Sequence, residues 1–350
     1  MRKIKTALLS YGMSGKVFHA PFLEIHEGFE LVGSWERSNK LIQLDYPNVK
    51  SYYTYEELLM DDIELVVINT PTVSHYEYAK KALLAGKHII VEKAFTTTVA
   101  EAQELKAIAD ANNLKLAVFQ NRRWDSDFKT VKKILREGIL GDIVEAEFHF
   151  DRYNPEISPK LHKETINAGS GILKDLGPHL IDQALHLFGM PIRVFADIRI
   201  TRKDSVVDDY IDLLLFYPQF RVRLKSGFFV REANPAYILH GEKGSFLKQR
   251  GDLQEAALKM GEKPNRTTWK SENEGNEGLL HTDINGEIIR KKVTTQLGNY
   301  YDYFDGVYQS IANNLVEPVT AQDGINTMRI IEACIESNWN KSTVELHSIL

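Results

Sequence analysis

The sequence is poor in cysteine, since Cys334 is the only one among 350 residues. A single thiol forms neither a disulfide framework nor a thiolate cluster for a metal ion. Cys334 falls in a helical pattern near the end of the chain, where a small buried core residue is the expected role. We therefore predict no disulfide and no metal site.

Long apolar runs and an excess of basic charge are also missing. No stretch approaches the roughly 20 apolar residues that a membrane helix needs. The basic, then apolar start, residues 1–10, is too short for a signal peptide and leads into a glycine turn, so we interpret it as the first strand of a cytoplasmic protein. The net charge of −5 argues against nucleic acid as a partner, because a protein that binds nucleic acid uses an excess of basic side chains to neutralise the phosphates.

The chain is long enough for two domains with a cleft, because 350 residues exceed one ordinary hydrophobic core. Its first third alternates apolar runs with helical patterns such as Tyr76–Ala85 and Val99–Asn112. The predicted strands are Ile4–Leu9, Phe29–Ser34, Leu65–Asn69, His88–Val91 and Lys115–Phe119. Strands separated by helices favour right-handed crossovers, so we predict a doubly wound, parallel Rossmann sheet for residues 1–120.

A glycine turn follows the first strand. The sequence Ser10-Tyr11-Gly12-Met13-Ser14-Gly15 has serine where the dinucleotide-binding fingerprint has its first glycine. Gly12 would still let the backbone approach a pyrophosphate, and Gly15 would let the next helix pack closely on the strand. A tight strand-to-helix loop without a ligand would explain the same residues.

The end of the second predicted strand bears on the choice between NAD and NADP. Glu36 lies about 20 residues beyond the glycines, where an acidic side chain hydrogen-bonds the adenosine ribose and favours NAD. Arg37 follows at once, and an arginine there can pair with the 2′-phosphate of NADP. The pair supports either cofactor with a modest lean to NAD, and a solvated loop remains the alternative.

Two further loops follow strands of the same sheet, where the carboxyl ends of parallel strands form the ligand crevice. Thr70 and Pro71 follow the third predicted strand, and Ser74 is placed to cap the helix beyond. We expect this loop, with His75, to lie against the nicotinamide half of a cofactor. The fourth strand runs into Glu92 and Lys93, so Lys93 would project where chemistry is usually done.

The second half, residues 121–350, shows a mostly antiparallel pattern. Its predicted strands are Ile143–Phe150, Ile192–Thr201, Tyr210–Tyr217, Arg221–Val230, Ala236–Leu239 and Gly244–Lys248. Alternating apolar and polar residues predict a sheet with one covered face. The other face would meet solvent or a second subunit. Residues 253–287 are polar and glycine-rich, which predicts an irregular surface excursion, and helices at Tyr300–Leu315 and Thr320–Asn338 follow.

A second chemical cluster surrounds His179. Pro178 is tolerated only in the first turn of a helix, so we predict a helix from about Asp175 to Phe188, ended by Gly189. His179 then lies in the first turn, where the helix dipole disfavours imidazolium and leaves a neutral proton acceptor. In the alternative, Asp175 only caps the helix and His179 is a satisfied buried histidine. Beside a nicotinamide, Lys93, Asp175 and His179 would supply what alcohol and carbonyl redox chemistry requires.

These residues carry a family resemblance. Gly12 and Gly15, Thr70-Pro71, residues 86–88, Glu92-Lys93 and residues 175–179 together resemble the Gfo/Idh/MocA oxidoreductases over essentially the whole chain. Where that family has Glu-Lys-Pro, this chain has Ala94 in the third place. Residues 14–21 and 121–128 are similar to the branch that contains an NADP-dependent scyllo-inositol dehydrogenase.

The resemblance implies a role for each residue. Lys93 would contact the nicotinamide ribose and the reacting hydroxyl, Asp175 and His179 would form the acid/base pair, and the open sheet face would form a homodimer or homotetramer. Arg123 and Trp124 would border the nicotinamide or substrate pocket; in the alternative, they only pack at the domain junction. The C-terminal helices would pack back toward the same junction. The cofactor-binding set would be Gly12, Met13, Ser14, Gly15, Glu36, Arg37, Thr70, Pro71, His75, Glu92, Lys93, Arg123 and Trp124.

The reaction expected is reversible hydride transfer between NAD(P) and a secondary alcohol or ketone of a sugar, polyol or inositol-like cyclitol. Two alternatives stay open. One is a glycosidase that retains its cofactor and works through transient oxidation. The other is a non-catalytic NAD(P)-binding sensor, against which the intact Lys93, Asp175 and His179 argue.

Overall fold

The computed structural model describes residues 2–36, 40–159, 161–266, 272 and 275–346. The helices of this part are α1 Ala20–Ile25, α2 Ile42–Asp45, α3 Tyr55–Met60, α4 His75–Leu84, α5 Val99–Ala111, α6 Ser126–Arg136, α7 Leu161–Glu164, α8 Ile172–Asp175, α9 Gly177–Phe188, α10 Gln254–Lys259, α11 Tyr301–Ala312 and α12 Ala321–Asn340. Shorter helical turns lie at Gly15–His19, Thr72–Ser74 and Asn121–Trp124. No helix in these residues is long and apolar enough to cross a membrane.

The strands alternate with the helices at first and then follow one another. They are β1 Ile4–Leu8, β2 Phe29–Trp35, β3 Lys50–Tyr52, β4 Leu65–Ile68, β5 His88–Glu92, β6 Leu116–Phe119, β7 Ile143–His149, β8 Arg193–Arg199, β9 Tyr210–Phe216, β10 Arg221–Gly227, β11 Tyr237–Gly241, β12 Gly244–Lys248, β13 Gly278–Ile284, β14 Glu287–Val293 and β15 Val344–Glu345. The chain divides into two compact units, each built from separate segments. The first comprises the described residues of 1–124, 253–270 and 299–325, and the second comprises those of 125–252, 271–298 and 326–350.

The first unit contains a parallel sheet with the strand order β3-β2-β1-β4-β5-β6. The order reverses between β1 and β4, which is the arrangement of a doubly wound dinucleotide-binding sheet. Every residue of β4 and β6 is buried, as expected for strands covered on both faces. The predicted fold class of this half is confirmed, although β3 was missed because three residues carry too little pattern.

The helix ends of this unit show both correct and incorrect predictions. Thr98 and Glu101 form a capping box at the start of α5. The expected cap by Ser74 on α4 is wrong, since its hydroxyl makes no capping bond and instead donates to Pro71 O at 2.8 Å, with Thr70 Oγ1 also 2.8 Å away. Ser74 therefore tightens the loop that follows β4.

The second unit contains a mixed sheet with the order β14-β13-β12-β11-β7-β10-β9-β8-β15. Its neighbours are antiparallel except for the pair β7 and β10, so the mostly antiparallel prediction is confirmed. Burial alternates along the strands, as in the buried residues Ile211, Leu213 and Leu215 of β9. One face is thus packed in the core, and the alternate residues lie half-exposed on the other.

The irregular excursion predicted for residues 253–287 is wrong. The described residues of this stretch include α10 and β13, β14 begins at its end, and the described residues that lie outside regular elements include 260–266. The helix α10 is fixed in the first unit, where Gln254 donates to Trp124 O at 3.2 Å and accepts from Tyr300 N at 2.7 Å. The glycine and polar residues of this stretch lie where the chain passes from the first unit to the second, between α10 and β13.

Candidate active site

The glycine turn after β1 is held by the end of β4. The Asn69 side-chain amide donates to Ser10 O at 2.7 Å. A Cβ at Gly15 would lie 2.2 Å from Ser10 O and 2.9 Å from Asn69 Nδ2, so only glycine fits. The loop predicted for close helix–strand packing is therefore as tight as the fingerprint requires.

Gly12 has a different environment. A Cβ there would meet only Ser10 Oγ, at 3.4 Å, which is an ordinary contact. Protein packing therefore does not explain glycine at this position, and both Gly12 and Met13 are exposed. An exposed backbone position without a side chain, just after the carboxyl end of β1, fits the close approach of a dinucleotide pyrophosphate.

Glu92 connects the glycine turn to the end of β5. Its Oε1 accepts a hydrogen bond from Ser14 Oγ and another, of 3.0 Å, from Nε2 of the fully buried His19. Burial acts to raise the pKa of Glu92, but these bonds and the charge of Lys93 outweigh it and the pKa is lowered. A fixed carboxylate therefore precedes Lys93, which is half-buried and joined to Ala94 by a cis peptide bond.

His75 acts from inside the unit. It is completely buried, with Nε2 at 2.8 Å from Thr70 O and Nδ1 at 2.9 Å from Ala94 O. Burial lowers its pKa, so a neutral ring donates to one of these carbonyls at a time. The described hydrogen bonds of His75 are all within the protein, and its predicted contact with a cofactor stays a prediction. His75 braces the loops after β4 and β5, while Thr70 is partly exposed and Pro71 exposed.

Glu36, just after the end of β2, has local hydrogen-bond partners. Its carboxylate accepts hydrogen bonds of 3.1 Å from the backbone of Leu41 and of Ile42. Arg37 lies outside the described residues. A carboxylate has about four acceptor positions, so these two bonds leave Glu36 able to accept from a ribose hydroxyl.

Arg123 and Trp124 lie in the turn after β6 and pack within the first unit. The Arg123 guanidinium is buried and lies 3.4 Å from Asp323 Oδ1. The Trp124 ring packs edge-on against Tyr303, with 5.4 Å between centroids. Both contacts lie within the first unit, and the predicted place of the pair beside the nicotinamide or substrate pocket stays a prediction.

In the second unit, Asp175 ends α8 and His179 lies in the first turn of α9. Pro178 occupies the start of α9 as predicted, and Gly189 ends it with a φ of +73°. Asp175 is not its cap, because the N-cap residue is Leu176. The buried His179 ring lies 6.5 Å, centroid to centroid, from the Phe150 ring, and Asp175 Oδ2 lies 2.7 Å from Lys163 Nζ.

The partners of predicted site residues that sequence reasoning missed include His19 and Lys163. His19 meets Glu92 from 73 positions away, and Lys163 meets Asp175 from 12 positions away. No local sequence pattern around His19 or Lys163 indicates which residue it contacts in the fold. No group of three or more His, Cys, Asp or Glu side chains suited to a metal occurs in the residues described.

The first unit has the fold and the glycine turn of a nucleotide-binding oxidoreductase, and comparison with known proteins agrees. Residues 4–120 match the NAD-binding Rossmann fold of the Gfo/Idh/MocA oxidoreductase family, and residues 132–346 match its C-terminal alpha/beta domain. The chain belongs to the Gfo/Idh/MocA family. It is thus an oxidoreductase that uses a nicotinamide cofactor.

Relatives align over nearly the whole chain. The scyllo-inositol 2-dehydrogenase (NADP(+)) of Bacillus subtilis is 38% identical over 98% of this chain and 96% of its own. An oxidoreductase structure from Bacteroides fragilis is 44% identical with a TM-score of 0.90 and covers 99% of this chain and 100% of its own. A Yersinia pestis oxidoreductase structure has a TM-score of 0.93 at 39% identity, covering 100% and 99%.

Proposed function

We propose that this protein is a dehydrogenase that interconverts a secondary alcohol and the ketone of a sugar, polyol or inositol-like cyclitol. The observation that carries the proposal is the placement of a buried histidine in the first turn of α9, four residues after a carboxylate that is paired with a lysine. The likeness to an inositol dehydrogenase supports the substrate class.

Each proposed catalytic residue has one task. His179 takes the hydroxyl proton during oxidation and returns it during reduction, because the start of a helix favours the neutral imidazole. Asp175, a carboxylate paired with an ammonium, orients the substrate hydroxyl and the base. Lys93 polarises the oxygen that becomes a carbonyl. The bound nicotinamide supplies the chemistry of hydride acceptance and return.

The cofactor proposal is NAD in preference to NADP. The two backbone bonds fix the Glu36 carboxylate, and a fixed negative charge would repel a 2′-phosphate while accepting a ribose hydroxyl. The name of the Bacillus subtilis relative points the other way. The proposal for this chain therefore rests on Glu36 alone and is tested together with the substrate.

The experiment is turnover of a panel of cyclitols, hexoses and alditols with NAD⁺ and NADP⁺ in parallel. We expect reduction of cofactor with at least one cyclitol or sugar and a higher kcat/KM with NAD⁺. A strong preference for NADP⁺ would overturn the role given to Glu36. Cofactor binding without turnover would favour a sensor, and cleavage of a glycoside without added cofactor would favour the glycosidase.

We further propose a homodimer or homotetramer formed through the half-exposed face of the second sheet. Residues that pair between neighbouring strands form one row across this face. The apolar, half-exposed members of the row are Phe195, Leu214, Ile238, Leu247 and Leu279. Half-exposed apolar side chains in such a row suit burial against a second copy. Light scattering should give two or four times the chain mass, and Leu214→Lys should lower it; a monomeric wild-type protein would refute the proposal.

A further inference from the structure

We propose that Lys163 is a positioning residue that holds Asp175 ionised and oriented for the reaction; this inference rests on the proposed function. Lys163 Nζ lies 2.7 Å from Asp175 Oδ2, and both side chains are partly buried, with 40% and 27% exposure. An ammonium at this distance favours the charged form of a carboxyl group. Asp175 would then accept hydrogen bonds throughout the reaction and leave proton transfer to His179.

The backbone of Lys163 is fixed by a buried ionic network. The neighbouring residue, Glu164, accepts hydrogen bonds from Arg202 at 2.8 and 3.1 Å, and Arg202 Nε donates to Asp209 at 3.0 Å. These three side chains are at most 8% exposed. Burial acts to raise the pKa of Glu164, but the Arg202 bond outweighs it and the pKa is lowered. The helix α7 is therefore tied to residues 200–209, the loop between β8 and β9.

The same loop also fixes α8, which carries Asp175. Asp208 Oδ2 accepts from Leu173 N at 2.8 Å, and Asp208 O accepts from Ile172 N at 2.8 Å. Gly171 permits this approach, because a Cβ there would lie 2.0 Å from Asp208 Oδ1 and its φ is +90°. One loop thus anchors both partners of the ion pair. A network of this kind serves to set the distance between Lys163 and Asp175.

Other titratable groups lie on the elements that carry or anchor Asp175, or that follow it in the chain. Lys174 precedes Asp175 on α8 and donates to Ala168 O, Asp208 comes from the loop, and His179 lies in the first turn of α9. The cation that contacts Asp175 Oδ2, at 2.7 Å, is the Lys163 ammonium. A change at Lys163 should therefore alter the ionisation of Asp175 while leaving the anchoring bonds of α8 in place.

The test compares Lys163→Met and Lys163→Arg with Lys203→Met, which removes an exposed lysine from the same loop region. With the best substrate of the panel, Lys163→Met should lower kcat/KM by about 10- to 100-fold, the scale of a misplaced reacting group. Its NADH affinity and melting temperature should stay near those of Lys203→Met. The acidic limb of the kcat/KM profile should move to higher pH, and Lys163→Arg should recover most of the loss.

A wild-type pH profile and near wild-type kcat/KM in Lys163→Met would overturn the inference. If the wild-type protein turns over no member of the panel, the proposed function fails but the ion pair can still be tested. Carbon-13 NMR of labelled aspartate, with the Asp175 signal assigned from Asp175→Asn, should then show Asp175 titrating at higher pH in Lys163→Met. Identical titration in both proteins would refute the positioning role.

Discussion

Replacing His179 with alanine is expected to lower kcat by about 10²- to 10⁴-fold, the usual contribution of a positioned acid/base group. The physical reason is the place of the ring in the first turn of α9, where the helix dipole disfavours a positive charge, as the proposed base requires. NADH affinity should hardly change, because the task proposed for His179 is proton transfer with the substrate hydroxyl and not binding of the dinucleotide. The loss would then fall on the chemical step.

The measurement is steady-state turnover of the best substrate together with fluorescence titration of NADH. His240→Ala is the matched control, since His240 is exposed on β11 and bonds only locally, to Ser245 at 2.7 Å. It should retain wild-type kcat. A His179→Ala enzyme that oxidises polyols at the normal rate would show that another group is the base, with Asp175 the next candidate.

Much of the fold could be predicted because its strands are marked by local pattern. The buried run of β4 and the alternation along β10 identify the two kinds of sheet, and Pro178 with Gly189 brackets α9. The start of α12 was also correct, where Thr320 N donates to Asp323 Oδ2 at 2.8 Å. Such signals lie within a few residues of the structure they specify.

The failures concern structure that depends on distant residues. The strands β13 and β14 were missed because neither keeps a strict alternation of apolar and polar residues, and they gain order from pairing with each other and with β12. The burial of His75 was also not predicted, because a loop position suggests access, whereas both ring nitrogens contact backbone carbonyls of the loops after β4 and β5. The partnership of His19 with Glu92 likewise exists only after the parallel sheet has formed.

The other large expected effect concerns the glycine turn. Replacing Gly15 should lower the stability of the fold, whereas replacing Gly12 should weaken cofactor binding. Gly15→Ala would place a methyl group 2.2 Å from Ser10 O, a backbone atom held by Asn69, so the protein must shift. Overpacking of this kind costs about 1–3 kcal/mol or more of the free energy of unfolding. Thermal unfolding should therefore occur at a clearly lower temperature in this variant.

Gly12→Ala should leave the melting temperature nearly unchanged, since the added methyl meets only Ser10 Oγ at 3.4 Å. It should instead weaken NADH binding by about tenfold or more, because a loss of roughly 1.4 kcal/mol of binding free energy has this effect. The two variants control each other when melting temperature and NADH affinity are measured on both. Unchanged NADH affinity in Gly12→Ala would mean that the pyrophosphate does not approach this backbone. The turn would then be only a tight strand-to-helix connection, in which Gly15 serves packing alone.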